Sequence, residues 1–128
     1  MILKLKCVPL VMYSLEVLDL NITFLNSLDI LLINAFAKIF KTFDHDILYS
    51  CMFYLKCLPL RFIYYTRRIN FLYKLSKSEN SVLMTWSRAG GRTELAGLHS
   101  LLNLTVCSPS SLRRDIWNCF SVSLGNIV

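Results

Sequence analysis

The sequence predicts an all-α protein: a small bundle of about four helices over residues 1–76, followed by a loosely structured tail over 77–128. Three observations predict it. Apolar residues recur at helical spacing through the first part, and residues that start or stop helices stand between those stretches. β-branched residues are scattered without the alternating runs that strands require. Composition marks the division, since ten of the thirteen serines and all four glycines lie from Ser76 onward.

Ile2 to Leu18 reads as a helix bent or interrupted at Pro9, because proline removes one backbone donor. Asp19-Leu20-Asn21 makes the next loop, and Thr23 is a suitable N-cap. From Phe24 to Lys41, Leu25, Leu28, Leu32, Phe36 and Ile39 share one helical face, with Asn26, Asn34, Lys38 and Lys41 on the other. Asp44 can cap a third, shorter helix running through about Lys56. Pro59 separates it from a fourth, Leu60 to Ser76, with a stripe of Phe62, Tyr65, Ile69, Leu72 and Tyr73. Arg61, Arg67, Arg68 and Lys74 are expected to lie away from that stripe. In the tail, a helix is expected from about Thr93 to Asn103, with Leu95, Leu98, Leu101 and Leu102 on one side and Gly90-Gly91 as a break before it. Ser108-Pro109-Ser110-Ser111 reads as a loop, and the apolar residues beyond it, from Ile116 to Leu124, follow no period that assigns them an element.

Hydrophobic residues make up 55% of the chain, and mean hydropathy is +0.50. A small domain hides only ~60–70% of the surface its unfolded chain exposes, so part of this apolar surface is expected to need a partner. A net charge of +6 favours polyanions. The five cysteines, at 7, 51, 57, 107 and 119, include no pair separated by two residues. That spacing argues against a structural zinc, and the odd number argues against a disulfide framework. Free thiols in a reducing, intracellular compartment, nuclear or cytoplasmic, are the expectation. Lys4 and Lys6 ahead of an apolar run imitate a signal peptide, but Glu16 and Asp19 follow at once without a small-residue cleavage site. The greasiest stretch, Leu28 to Phe40, is interrupted by Asp29, Asn34 and Lys38 and falls short of the ~20 apolar residues a bilayer requires. A membrane is therefore not an expected partner.

Asp44-His45-Asp46 offers two carboxylates and an imidazole, yet consecutive side chains diverge on a helix and capping accounts for them better. There is no Gly-x-Ser-x-Gly elbow and no glycine-rich phosphate loop. No catalytic residue, metal, cofactor or small-molecule substrate is expected. Arg61, Arg67, Arg68 and Lys74, with Tyr64 nearby, form the more interesting feature. Such a cluster suits the phosphate backbone of an RNA–DNA or DNA duplex, while the plainer account is a solvated helix face.

The order of residues suggests a family. Lys6-Cys7-Val8-Pro9, an apolar run, and then Tyr13-Ser14-Leu15-Glu16 resemble a segment just downstream of the polymerase core in jockey-like, LINE-type (non-LTR) retrotransposon reverse transcriptases. There a basic residue, a proline and an apolar run lead to Tyr-Gly-x-Glu, and Ser14 stands where the glycine would be. Leu25-Asn26-Ser27-Leu28-Asp29, then Lys38-Ile39-Phe40-Lys41-Thr42, resemble the next part, a Leu-x-x-Leu-Asp helix with a Lys-x-Phe-Lys/Arg-Thr ending. The similarity continues through Cys51, Leu58-Pro59 and Arg67 to Lys74, and so covers about residues 2–75. The resemblance implies a helical thumb or post-thumb fragment that packs on a missing palm domain. Catalysis in that family belongs to three palm carboxylates holding two metal ions. The Tyr-x-Asp-Asp turn that carries them is absent here, so no catalytic residue carries over. Two rival readings are a small membrane-associated protein with basic amphipathic helices and a helical interaction module of unrelated ancestry. On the leading reading, the purified chain is expected not to extend a primer on an RNA template with magnesium or manganese. Extension abolished by changing any one aspartate would overturn the fragment assignment.

Overall fold

In the computed structural model, which describes residues 2–102 and 109–125, the chain is mainly helical, with no strand among those residues. It begins with a π-helical turn, Leu3–Cys7, running into α1, Val8–Val11. The Val8 N–H reaches back five residues to the Leu3 carbonyl. Pro9 is the second residue of α1, and because the π turn runs directly into that helix its missing N–H leaves one backbone bond unmade there. The helix expected to run to Leu18 stops at Val11. Ser14 adopts a left-handed conformation (φ 58°) and turns the chain into a single 3-10 turn, Leu15–Val17.

Helix α2, Ile22–Phe40, is capped by Asn21, whose side chain accepts from the Thr23 N–H at 3.2 Å. The cap is therefore Asn21, not Thr23. The expected face is buried at Leu25, Leu28, Leu32 and Phe36, and it also takes in Asp29, Ile33 and Ala37. Ile39, in the last turn, is exposed instead. Over its 19 residues α2 is long and apolar enough to cross a membrane by length and composition, where the shorter Leu28–Phe40 stretch was expected to fall short. Here, however, its apolar side packs on α3, His45–Tyr54, and α4, Leu60–Ser76. Asp44 caps α3 through the Asp46 N–H at 3.0 Å, as expected.

Helix α4 is the centre of the fold. It contacts α2, the 3-10 turn and every helix that follows. Having neighbours on several sides, it buries Leu60, Tyr64 and Arg68 as well as Phe62, Tyr65, Ile69 and Leu72, while Tyr73 stays half-exposed.

The described part of the tail is mostly helical rather than loosely structured. Helix α5, Ser81–Trp86, passes through a π-helical turn, Ser87–Gly91, straight into α6, Arg92–Leu101. The expected break at Gly90-Gly91 is thus a widened helical turn. A Cβ at Gly91 would stand 3.4 Å from the Trp86 indole, an ordinary contact, so the turn does not depend on glycine there. Helix α7, Pro109–Gly125, occupies the stretch read as a loop followed by unassigned residues. Proline suits the first turn of a helix, and Leu112, Ile116 and Phe120, four apart, enter the same core as α2 and α4. The Phe120 ring lies 5.9 Å from Phe62 and 6.1 Å from Phe53. Among the described residues six helices of six or more residues replace the expected four or so. Asn103 and Ser108 lie outside the described residues.

Pro59, at the N-cap of α4, has no side-chain acceptor, so the cap comes from another helix. Asp29 on the buried face of α2 accepts the Arg61 backbone N–H at 3.1 Å, and its second oxygen stands 3.6 Å from Arg61 Nε. Burial pushes the Asp29 carboxyl above its ordinary value, against the opposing pull of Arg61. A carboxyl whose folded pKa exceeds its unfolded one favours folding fully below the unfolded value and loses that contribution as pH rises through the folded one. Asp29→Ala is therefore expected to cost about 1–2 kcal/mol at neutral pH, through an uncapped helix. Asp29→Asn keeps the acceptor and should be no less stable than the parent. It should also lack the stability the parent gains on acidification through that window. Urea denaturation at two pH values checks both, and equal losses in the two variants would show that charge, not the acceptor, holds the helix.

Candidate nucleic-acid interface

The four basic residues expected along one exposed face of α4 do not share one. Arg68 is only 3% exposed. Its Nε and Nη2 both meet Glu94 Oε1 of α6 at 2.7 Å, and its Nη1 donates to the carbonyls of Glu16 and Val17 at 2.8 Å each. Arg67 donates to the Met12 carbonyl at 3.0 Å, with the Glu16 carboxylate 4.0 Å away. Arg61 is engaged with Asp29 and lies over the Phe62 ring. Lys74 alone of the four is exposed. Tyr64, expected beside them, is buried, donating to the Leu18 carbonyl at 2.8 Å and accepting from the Leu20 N–H at 3.2 Å. The cause is backbone accounting. Residues 12–20 are largely irregular, so their carbonyls need donors from elsewhere, and the arginine fork supplies several at once.

The positions that carry the family resemblance are spread over the molecule. Leu28 and Asp29 are buried, and Glu16 is half-buried beside Arg67 and Arg68. Pro9 and Tyr13 are exposed, as are Lys38 and Lys41 at the C-terminal end of α2, where Lys41 takes a left-handed conformation. Asp44, His45 and Asp46 are exposed at the start of α3. Among the described residues no three His, Cys, Asp or Glu side chains gather as a metal site would require.

Cations do converge elsewhere. A cleft of about 450 Å³ is lined by Lys4, Lys56, Arg67 and Arg113, together with Leu58, Ile63, Thr66 and Trp117, and includes no carboxylate. Lys4 comes from the opening π turn. Lys56 follows α3 in a left-handed conformation (φ 53°), and Arg113 and Trp117 stand four apart on α7. Only Arg67 belongs to the set expected from sequence. Behind the cleft, burial raises the Cys57 thiol above its ordinary value, and the nearby Lys4 ammonium opposes that rise. A second hollow of about 410 Å³ adjoins it, sharing Lys56 and Trp117 and adding Phe53 and Tyr54. The one signal available in sequence was the Arg113–Trp117 spacing. Lys4 and Lys56 reach the cleft only through tertiary packing.

No protein-family model, curated protein or solved structure matches this chain.

Removing one partner from a buried, hydrogen-bonded ion pair costs about 3–5 kcal/mol. Arg68→Ala is therefore expected to remove that much stability, a large share of what a small domain holds. Lys74→Ala should leave the unfolding midpoint where it was. Thermal and urea melts of the two variants check the contrast, and an unchanged Arg68→Ala midpoint would show that the clamp is dispensable.

Proposed function

We propose that this chain is a non-catalytic helical element of a LINE-type reverse transcriptase that holds nucleic acid by its phosphate backbone. The contact runs through Lys4, Lys56, Arg67 and Arg113 rather than along the outside of α4. The observation that carries this reading is the convergence of four cations, from four separate parts of the chain, on one cleft with no acidic residue in its lining. Such a site attracts polyanions without reading sequence. The parentage is supported by the ordered motifs of residues 2–75, among them Pro9, Tyr13, Glu16, Leu28 and Asp29. The exposed Leu5, Leu10, Tyr13 and Leu31 suit a surface that once met a neighbouring palm domain. A second reading, association with a membrane, is favoured by the length and hydropathy of α2.

Affinity for an RNA–DNA hybrid is expected to be indifferent to base sequence. It should fall steeply between about 50 and 200 mM salt, with a slope near −0.9 per phosphate contact by the measure for DNA duplexes. Lys56→Gln combined with Arg113→Gln should flatten that slope by roughly two, while Lys74→Gln should leave it unchanged. An unaltered slope in the double variant would remove the cleft from any role in binding. Translation of the DNA upstream of Met1 tests the parentage separately, since a palm with Tyr-x-Asp-Asp in either the same or a shifted frame is required.

A further inference from the structure

We infer that the basic cleft and the aromatic hollow beside it together take single-stranded nucleic acid, with a phosphate among Lys56, Arg67 and Arg113 and a base stacked on Trp117. The inference rests on the reading above that the cleft holds nucleic acid, and it narrows the ligand. A duplex keeps its base faces inside its own stack and offers a protein phosphates and groove edges. A single strand offers phosphates and open base faces side by side, and proteins that bind it pair a cationic groove with aromatic platforms.

Both parts are present here in adjoining concavities. Lys56 and Trp117 line the two hollows at once, so a chain leaving the cations passes directly onto the aromatic side. Trp117 is half-buried and braced by Phe53, edge-on at 5.9 Å, and by the tilted Phe120 ring at 6.0 Å, which holds the indole as a platform. Tyr54 is 82% exposed in the second hollow, although a large aromatic ring at the end of a packed helix would ordinarily find cover. Its ring leans on Phe53 at 5.9 Å and supplies a second stacking surface. A lipid headgroup would use the cations equally well but has no planar group for Trp117.

The test uses the intact chain with a short oligothymidylate, a duplex of the same length and phosphatidylserine vesicles, each titrated at fixed salt. The single strand is expected to bind more tightly than the duplex. Trp117→Leu should weaken the single strand by roughly tenfold, equivalent to about 1.4 kcal/mol and within the range for one stacked base. The duplex should be unaffected by that change. Trp86→Phe leaves Trp117 as the sole indole, and its emission should be quenched by the oligothymidylate but not by the duplex; this readout does not require Trp117 to be removed. Equal affinity for strand and duplex without quenching would overturn the inference and leave the proposed backbone contact standing. Vesicle binding without oligonucleotide binding would overturn it as well. Loss of all nucleic-acid binding in the unaltered chain would remove the proposed function along with it.

Discussion

The Arg68 guanidinium holds three stretches of chain in one place, and most of the architecture depends on it. Its donors reach Glu94 on α6 and the carbonyls of Glu16 and Val17, so α4, the early 3-10 turn and the tail share one buried cation. Burying a charge is expensive unless its donors are met. Here a carboxylate and two carbonyls meet them, and the carbonyls belong to the end of a single 3-10 turn, which no further helix continues. Tyr64 and Arg67 extend the same arrangement to the carbonyls of Leu18 and Met12. Helix α4 thus carries a row of polar side chains on its inner side, and the irregular segment 12–20 exists because those side chains satisfy it.

That inward use of arginine decides where positive charge remains available. With Arg61 on Asp29 and Arg68 on Glu94, the other cations of the basic cleft come from other elements, namely Lys4, Lys56 and Arg113. Arg67 joins the two systems. One of its nitrogens donates to the Met12 carbonyl, while its side chain also lines the basic cleft. The clamp therefore does more than stabilise. The segment it fixes follows α1, the helix that continues the opening turn carrying Lys4.

The helical class, the bounds of α4 and the capping of α3 by Asp44 were legible because each rests on local chemistry: apolar period, proline and an acidic cap. The core positions of α2 from Leu25 to Phe36 were legible for the same reason. What escaped was everything that needed a distant partner. Arg68 has the sequence position of a surface cation, and only Glu94, 26 residues on, and the carbonyls near residue 16 make it a core residue. Asp29 caps a helix 32 residues away. In α7, Leu112, Ile116 and Phe120 do keep helical spacing, but the serines and proline beside them outweigh it in a local reading, although proline belongs naturally in a first turn. Of the four cations of the basic cleft, one was anticipated, since four chain segments had to be folded together before it existed.

The apolar excess can be placed in the same frame. Helix α7 completes the core on the α3 and α4 side, so the surplus is not a core left unfinished there. Much of it gathers at the other edge, where Leu3, Cys7, Val8 and Val11 face Leu31, Leu32 and Ala35 across a narrow cleft of about 180 Å³. Leu10 and Leu31, 77% and 64% exposed, stand beside it. The five-residue opening turn therefore works in two directions, with Leu3 and Cys7 toward this apolar cleft and Lys4 toward the basic one. Consecutive side chains diverge around any helical turn, which lets neighbours in sequence serve different surfaces. Anything that shifts the apolar edge would therefore bear on the turn that carries Lys4, and through it on the lining of the basic cleft.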